Sequence, residues 1–507
     1  AGSGCLRAVG VRGRNCRIKT GVMNGLKGWF AVLAGLVLIS CAKGPSEGGA
    51  SDPATDAAAN RWIYSQMIRQ YLYNDYTKTI TPDYNQSCEN FFTGLLSSRP
   101  TDNDGKHTGT DNYFYSSMER SGTSKTAVSG KVATYGIEYK CYYTDYSRTY
   151  VAARVQFVVK GSPADRAGIR RGDWICLVDG KPIGSNNTSV LRRGGAVTLW
   201  VERMEKTMQG GFEIYQTVYE KSVSMDAAET LDVSPVLTDT LIVRGSRRIG
   251  YLVYNEFLSE PAGASDGRYD EQLKAVFADF KRQHINELVL DLRYNGGGYV
   301  NTCRLLCSMI APQSALGQVF CIERFNDDLH ALYGETVLRF LPEGEVGGCN
   351  LNLARLYVLT GPWTASSSEL VINNLRPYMP VKVVGTTTEG KNVGSSEIRS
   401  NVYGIVLRPI TGRAFNRDYE SDYADGFDPD FPADDDDNQD QMLELGDPDE
   451  FVLQYALADI AGSPAAATSK ADDLLRGPYT PAGEPQPEGR IRGMIFTAPG
   501  GTDGPFD

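Results

Sequence analysis

Three consecutive serines, Ser366, Ser367 and Ser368, sit in the stretch GPWTASSSELVINN, residues 361–374. The stretch reads as a strand end, a tight turn and a helix start, so a hydroxyl there is either a helix cap or a nucleophile. A nucleophilic serine needs a base. The chain has only three histidines, His107, His284 and His330, so a base other than histidine has to be considered. The stretch GTTTEGKNVG (385–394) is another polar turn and carries Lys391. Free lysine titrates near ~10.4, so a lysine base must be buried enough to shed its proton. Val383, Val384 and Val393 nearby could supply that apolar surrounding. A third polar turn, Gly296-Gly297-Gly298, closes LVLDLRYNGGG (288–298). All three turns follow strand-like runs, and ligands gather at the carboxyl ends of strands in open α/β sheets. A serine just ahead of the apolar helix ELVINNL would also have free backbone N–H groups beside it, which suit a developing oxyanion.

The elements that must position these turns occupy residues 231–462. RRIGYLVYNEF, INELVLDL, LARLYVLTG and VKVVGTT read as strands. YDEQLKAVFADFKRQ carries Leu273, Val276, Phe277 and Phe280 on one helical face. Strands alternating with helices predict a layered α/β domain. Residues 60–122 read as a small helical segment, with Trp62, Ile63, Met67, Ile68, Tyr71 and Leu72 at helical spacing. Residues 125–222 alternate like strands, as in YVAARVQFVV and AVTLWVER. Residues 463–507 are rich in Ala, Pro and Gly and read as a flexible tail.

Within 125–222, GSPADRAGIRRGDWICLVDGKPI (161–183) resembles a PDZ domain of the bacterial protease type. Pro163 opens a short helix, Gly168 ends it, and Gly172-Asp173 forms the next turn. The resemblance places the carboxylate-binding loop at TYGIEY, with Tyr135, Gly136 and Ile137 receiving a peptide end while the peptide adds a strand.

TASSSEL, the glycine turn and the Gly390-Lys391 pair, in that company, resemble the C-terminal processing, or tail-specific, serine peptidases over about residues 60–461. The resemblance implies an α/β catalytic domain, a β-rich PDZ domain and a small N-terminal helical segment. It implies that Ser366 is the nucleophile and Lys391 its base, with no histidine involved. It assigns the oxyanion donors to the N–H of Ser367 and to one of Gly296, Gly297 and Gly298, with Gly297 the middle choice. Many members place a glutamine four residues after the lysine; here that position is Ser395, and Asn392 or Ser396 could stand in for it. The implied substrates are polypeptides presented by their C-terminal tails. A catalytically weak or inactive PDZ-containing peptide-binding protein is the alternative. A hydrolase pairing Ser with His330 is a third reading.

Residues 23–41, MNGLKGWFAVLAGLVLISC, combine Lys27, a short apolar run and a cysteine at the cut. The apolar run is too short to span a membrane and reads as a secretory signal. It resembles a bacterial lipoprotein signal, which would make Cys41 the lipidated first residue of the mature chain. The expected location is the cell envelope, on the periplasmic side and lipid-anchored, with the outer membrane favoured. Residues 1–22 precede Met23 and are set aside; 42–59 read as a tether. Seven cysteines then remain, an odd number in an oxidising compartment, so at least one thiol is expected free in a monomer. Cys303 and Cys307 read as buried small side chains rather than a metal site. The net charge of −11 and the lack of a basic stripe argue against nucleic acid. The acidic run at 422–440 reads as a solvated loop. Nothing in the sequence calls for a cofactor or metal, and nothing fixes the oligomeric state.

Overall fold

The computed structural model describes residues 53–108, 111–120, 133–144, 147–192, 194–209, 212–261, 263–438, 442–463, 480–483 and 493–496. The signal-like segment and Cys41 lie outside them. Helix α1 (Pro53–Gln70) begins inside the stretch read as a tether. Its buried Ile63 and Met67 pack with Phe91 and Phe92 of α2 (Cys88–Gly94). Asn60 locks the pair, donating to the carbonyls of Tyr84 and Gln86. Not all of 60–122 is helical: Ser117–Arg120 is a strand that pairs with Ile405–Arg408. Helical spacing at 62–72 carried no information about that part.

The β-rich domain is built on β1 (Ile137–Tyr143), β2 (Tyr150–Val158), the short helix α3 (Pro163–Arg166), β3 (Trp174–Val178), β4 (Lys181–Gly184), β5 (Val197–Gln209) and β6 (Phe212–Met225). Pro163 opens α3 and Ser162 caps it, accepting from the N–H of Asp165. The sheet order is β6-β5-β3-β4-β2-β1, and a strand from the far end of the chain adds at the β1 edge.

The α/β domain follows as β7 (Val236–Arg244), β8 (Arg247–Tyr254), α4 (Arg268–Arg282), β9 (Glu287–Asp291), β10 (Gly297–Tyr299), α5 (Val300–Ile310), β11 (Val319–Phe325), β12 (Thr336–Arg339), β13 (Leu356–Thr360), α6 (Ser367–Leu375), β14 (Val381–Gly385), β15 (Val393–Ser395), β16 (Ile410–Phe415), β17 (Phe431–Pro432) and α7 (Leu453–Ala461). A central sheet runs β7-β8-β9-β13-β14-β17, parallel from β8 to β17. Every residue of β9 and β13 is buried, because both faces are covered. Leu288, Leu290 and Val358 meet Leu273 and Phe277 of α4 and Leu370 of α6. Val289, Tyr357 and Leu359 meet Leu453, Ala456 and Leu457 of α7 on the other side. The carboxyl ends of β9 and β13 therefore open together, which brings two of the polar turns to one edge.

Two expectations are corrected here. In the stretch read as a flexible tail, Thr480–Gly483 (β18) pairs with β1, and Gly493–Ile495 (β19) is a strand of a second sheet ordered β10-β19-β15-β16-β11-β12. Burial of Met494, Ile495 and Phe496 holds that second segment in place. The acidic run is not merely solvated. Asp435 pairs with Arg293 at 3.0 Å, and Asp436 with Lys140 and Arg154 of the β-rich domain at 2.8 and 2.9 Å. Burial pushes the Asp435 carboxyl up, but Arg293, Arg171 and Arg154 outweigh it and hold it well below the usual range. Arg171 and Arg293 share Glu450 as well, so the β-rich domain is ion-paired to the strand end that leads into the glycine turn.

None of the seven cysteines after Cys41 forms a disulfide among the described residues. Cys303 and Cys307 are core side chains of α5.

Candidate active site

Ser366 is the residue before α6, and it is fully buried with φ +63°. A left-handed backbone at a non-glycine residue costs on the order of 1–3 kcal/mol, and such residues cluster at functional sites. Its Oγ has no hydrogen-bond partner among the described residues. A buried hydroxyl left without a partner is a second cost that packing alone does not explain. The two serines that follow have structural duties. Ser367 Oγ donates to the Gly298 carbonyl at 2.7 Å, and Ser368 Oγ donates to the Asn295 carbonyl at 2.9 Å. These bonds clamp the start of α6 to the glycine turn.

Glu369 binds the site together from below. Its Oε2 accepts the backbone N–H of Ser366 at 2.7 Å and that of Lys391 at 2.8 Å. Its Oε1 accepts from Gly390 N–H and Thr388 Oγ1, both at 2.6 Å. Burial pushes the Glu369 carboxyl up to about 7, against the pull of those four donors. The lysine loop must approach closely to make these bonds. Gly390 has φ +89°, and a Cβ on it would stand 2.2 Å from the Ala424 carbonyl. Asn103 holds the same loop from outside, donating to Gly390 O and Asn392 Oδ1.

Lys391 is 2% exposed, and its Nζ lies 4.5 Å from the centre of the Tyr115 ring, a cation–π contact. Nζ makes no hydrogen bond to Ser366 Oγ in this structure. Such contacts are commonly loose in the absence of substrate. The same observation leaves His330 without a bond to Ser366.

Gly297 lies against the serine: a Cβ there would stand 3.0 Å from Ser366 Cβ. Its N–H, however, is donated to Asn295 Oδ1 at 2.9 Å. The middle choice for an oxyanion donor is thus already engaged inside the turn. Asn295 in turn is anchored by Nδ2 on the Tyr254 carbonyl. Ser395 stands four residues beyond Lys391 in β15, where its carbonyl accepts the N–H of Phe496. Asn392 Nδ2 donates to the Ser421 carbonyl, and Ser396 Oγ pairs with Thr411 Oγ1. Both stand-ins for a glutamine are hydrogen-bonded to these other groups.

In the β-rich domain, Gly136 and Ile137 line a cleft with Phe157, Leu231, Pro235 and Leu258. Tyr135 does not line it; its side chain is buried and its hydroxyl donates to the Gly195 carbonyl at 2.6 Å. The Gly136 N–H is donated to Thr134 Oγ1.

Sequence reasoning missed Glu369, Asn295 and Tyr115. The pattern S-x-x-E at Ser366–Glu369 signals a residue reaching back to a helix start, and could have found the first. Nothing local in the sequence points to the other two.

Comparison with known proteins bears on this geometry. Residues 248–433 match the peptidase family S41, 58–117 match the peptidase S41 N-terminal domain, and 155–193 match the PDZ domain. The crystal structure of a Bacteroides fragilis chain assigned to the S41 proteases is 30% identical, with a TM-score of 0.68, and the match covers 79% of this chain and 97% of that one. Proteins of Staphylococcus aureus and Staphylococcus epidermidis whose names describe them as CtpA-like serine proteases are 24% and 22% identical. The match covers 46% of this chain and 41% of each of those relatives.

Proposed function

This chain belongs to peptidase family S41, and on that premise we propose that it is an endopeptidase whose nucleophile is Ser366 and whose base is Lys391. The observation that carries the reading is Ser366 itself: buried, in a left-handed backbone, at a helix start, with its hydroxyl unpartnered and its N–H on the same carboxylate oxygen as that of Lys391.

In the proposed reaction, neutral Lys391 takes the proton of Ser366 Oγ as Oγ attacks the peptide carbonyl carbon. The N–H of Ser367 and an N–H of the glycine turn receive the developing oxyanion. As the intermediate collapses, the C–N bond breaks and the proton passes from Lys391 to the leaving amine. Water then attacks the acyl-enzyme ester, gives its proton to Lys391, and the C–O bond to Ser366 breaks, with the proton returned to Oγ. Ser395 is assigned a supporting place beside this pair. The PDZ domain would hold substrate tails at Gly136 and Ile137 as an added strand. Lipid on Cys41 would tether the protein to the periplasmic side of the cell envelope, at the outer membrane.

The second reading, a peptide-binding protein without turnover, is favoured by one observation: serine stands at 395 in place of the glutamine, and Asn392 and Ser396 are bonded to Ser421 and Thr411. Acid quenching during turnover of a peptide ester, followed by mass analysis, separates the two. An acyl adduct on Ser366 that disappears in Ser366→Ala and Lys391→Ala supports the enzyme. An ester left intact by the wild-type chain supports the binder.

A further inference from the structure

Strand β19 is inserted between the two polar turns of the site. It runs parallel to β10, with Gly493 opposite Gly297 and Met494 opposite Gly298. It also runs parallel to β15, with Met494 opposite Gly394 and Ile495 opposite Ser395. Gly493 N–H donates to the Gly296 carbonyl and Phe496 N–H to the Ser395 carbonyl, both at 3.0 Å. These are the backbone bonds by which any extended peptide could add, with no demand on its side chains.

The segment reaches both proposed reacting groups. A Cβ on Gly297 would stand 2.9 Å from the Gly493 carbonyl oxygen and 3.0 Å from Ser366 Cβ, so that carbonyl and the serine flank one point. A Cβ on Gly493, whose φ is +130°, would stand 2.2 Å from Nζ of Lys391. Only glycine fits there. Three residues on, Phe496 fills a slot walled by Gly394 and Gly412, where a Cβ would fall 2.5 and 3.1 Å from its ring, and by the ring of Phe325 at 6.0 Å. A second piece of the same end of the chain, β18, occupies the edge of β1, with Thr480 opposite Tyr143 and Gly483 opposite Cys141. That is the strand that follows the Gly136 loop, and its edge is where a peptide would add.

We propose that the cleft between β10 and β15 is a peptide-binding site that the chain's own Gly493–Phe496 occupies in the manner of a substrate, so that the protein is occluded in cis until this strand is displaced. The peptides that displace it are extended, with a glycine beside Lys391 and an aromatic residue three positions on. Tethering gives the segment an advantage over free peptides of similar sequence, since its effective concentration is high. The proposal rests on the peptidase reading of Ser366 and Lys391.

The test uses the full chain and a fluorophosphonate that labels reactive serines. Gly493→Val, and separately a chain ended after Gly483, should label at Ser366 at least about tenfold faster than wild type, tenfold being the ratio for each ~1.4 kcal/mol by which seating is favoured. Ser366→Ala should label in neither background. In the Ser366→Ala chain, the amides of Gly493 and Phe496 should exchange slowly, and Gly493→Val should release them. Equal labelling rates in wild type and both variants would overturn the proposal. So would loss of the folded state in Gly493→Val without faster labelling, since β19 would then be a permanent structural strand. No labelling of Ser366 in any form would sink the peptidase reading instead, and the exchange data would decide the seating alone.

Discussion

The carboxylate of Glu369 accepts the backbone N–H of Lys391 at 2.8 Å, with the same oxygen that holds the N–H of Ser366. One buried side chain thus fixes the lysine loop relative to the helix start. Its two oxygens take four donors, so an amide in its place would turn one acceptor into a donor facing two donors. Glu369→Gln should lower unfolding free energy by about 2–4 kcal/mol in urea titration and abolish peptide cleavage. A stable, active Glu369→Gln chain would remove this residue from the account.

One buried carboxyl without donors gives stability a pH dependence. Burial pushes Glu323 up to about 8, and its Oε2 has no hydrogen-bond partner among the described residues. The value is raised, so folding favours the protonated form. That contribution is complete below an ordinary glutamate value of ~4.3 and is lost as pH rises through the folded-state value. Urea unfolding between about pH 5 and pH 9 should therefore show stability falling as pH rises, and Glu323→Gln should flatten the fall. A Glu323→Gln chain with the same slope as wild type would contradict this.

Asp435 joins Arg293, at the entry to the glycine turn, to Arg171 of the PDZ domain. All three side chains are largely shielded from water, so removing one partner leaves buried guanidinium charge poorly matched. Asp435→Asn should cost about 3–5 kcal/mol, measured by urea unfolding. The loss should change little with added salt, because buried pairs are weakly screened. A loss that vanishes at high salt would mean the pair is effectively a surface one.

Gly297→Ala tests close approach at the serine. The new methyl would crowd both Ser366 Cβ and the Gly493 carbonyl at a φ of +114°. A displacement of this size at a reacting group is worth about 100-fold in rate. The expected result is a loss of that order in kcat/KM, with the folded state retained by circular dichroism. Unchanged kcat/KM would place the reacting carbonyl elsewhere.

The sequence made some of this legible and hid the rest for physical reasons. Ser366, the glycine turn and Lys391 could be found because close backbone approach and a helix start demand particular residues at fixed positions. The buried strands β9 and β13 were legible from their continuous apolar runs. Asp435 and Asp436 were not, because a run of aspartates looks alike whether it faces water or the arginines of another domain. Strands β18 and β19 were hidden by their length. Strands of four and three residues amid proline and glycine carry no periodicity, and their order comes from partners hundreds of residues away. Tyr115 reaches Lys391 through the same kind of long-range contact.

The central claim, that Ser366 and Lys391 cleave peptide bonds, is tested most directly by incubating the purified chain with an unfolded protein and reading the products by mass spectrometry. Wild type, Ser366→Ala and Lys391→Ala are compared under one condition. Cleavage by wild type alone is the expected result, and the new termini would report which side chains flank the cut. Equal cleavage by wild type and Ser366→Ala would contradict the account, since the nucleophile would then lie elsewhere.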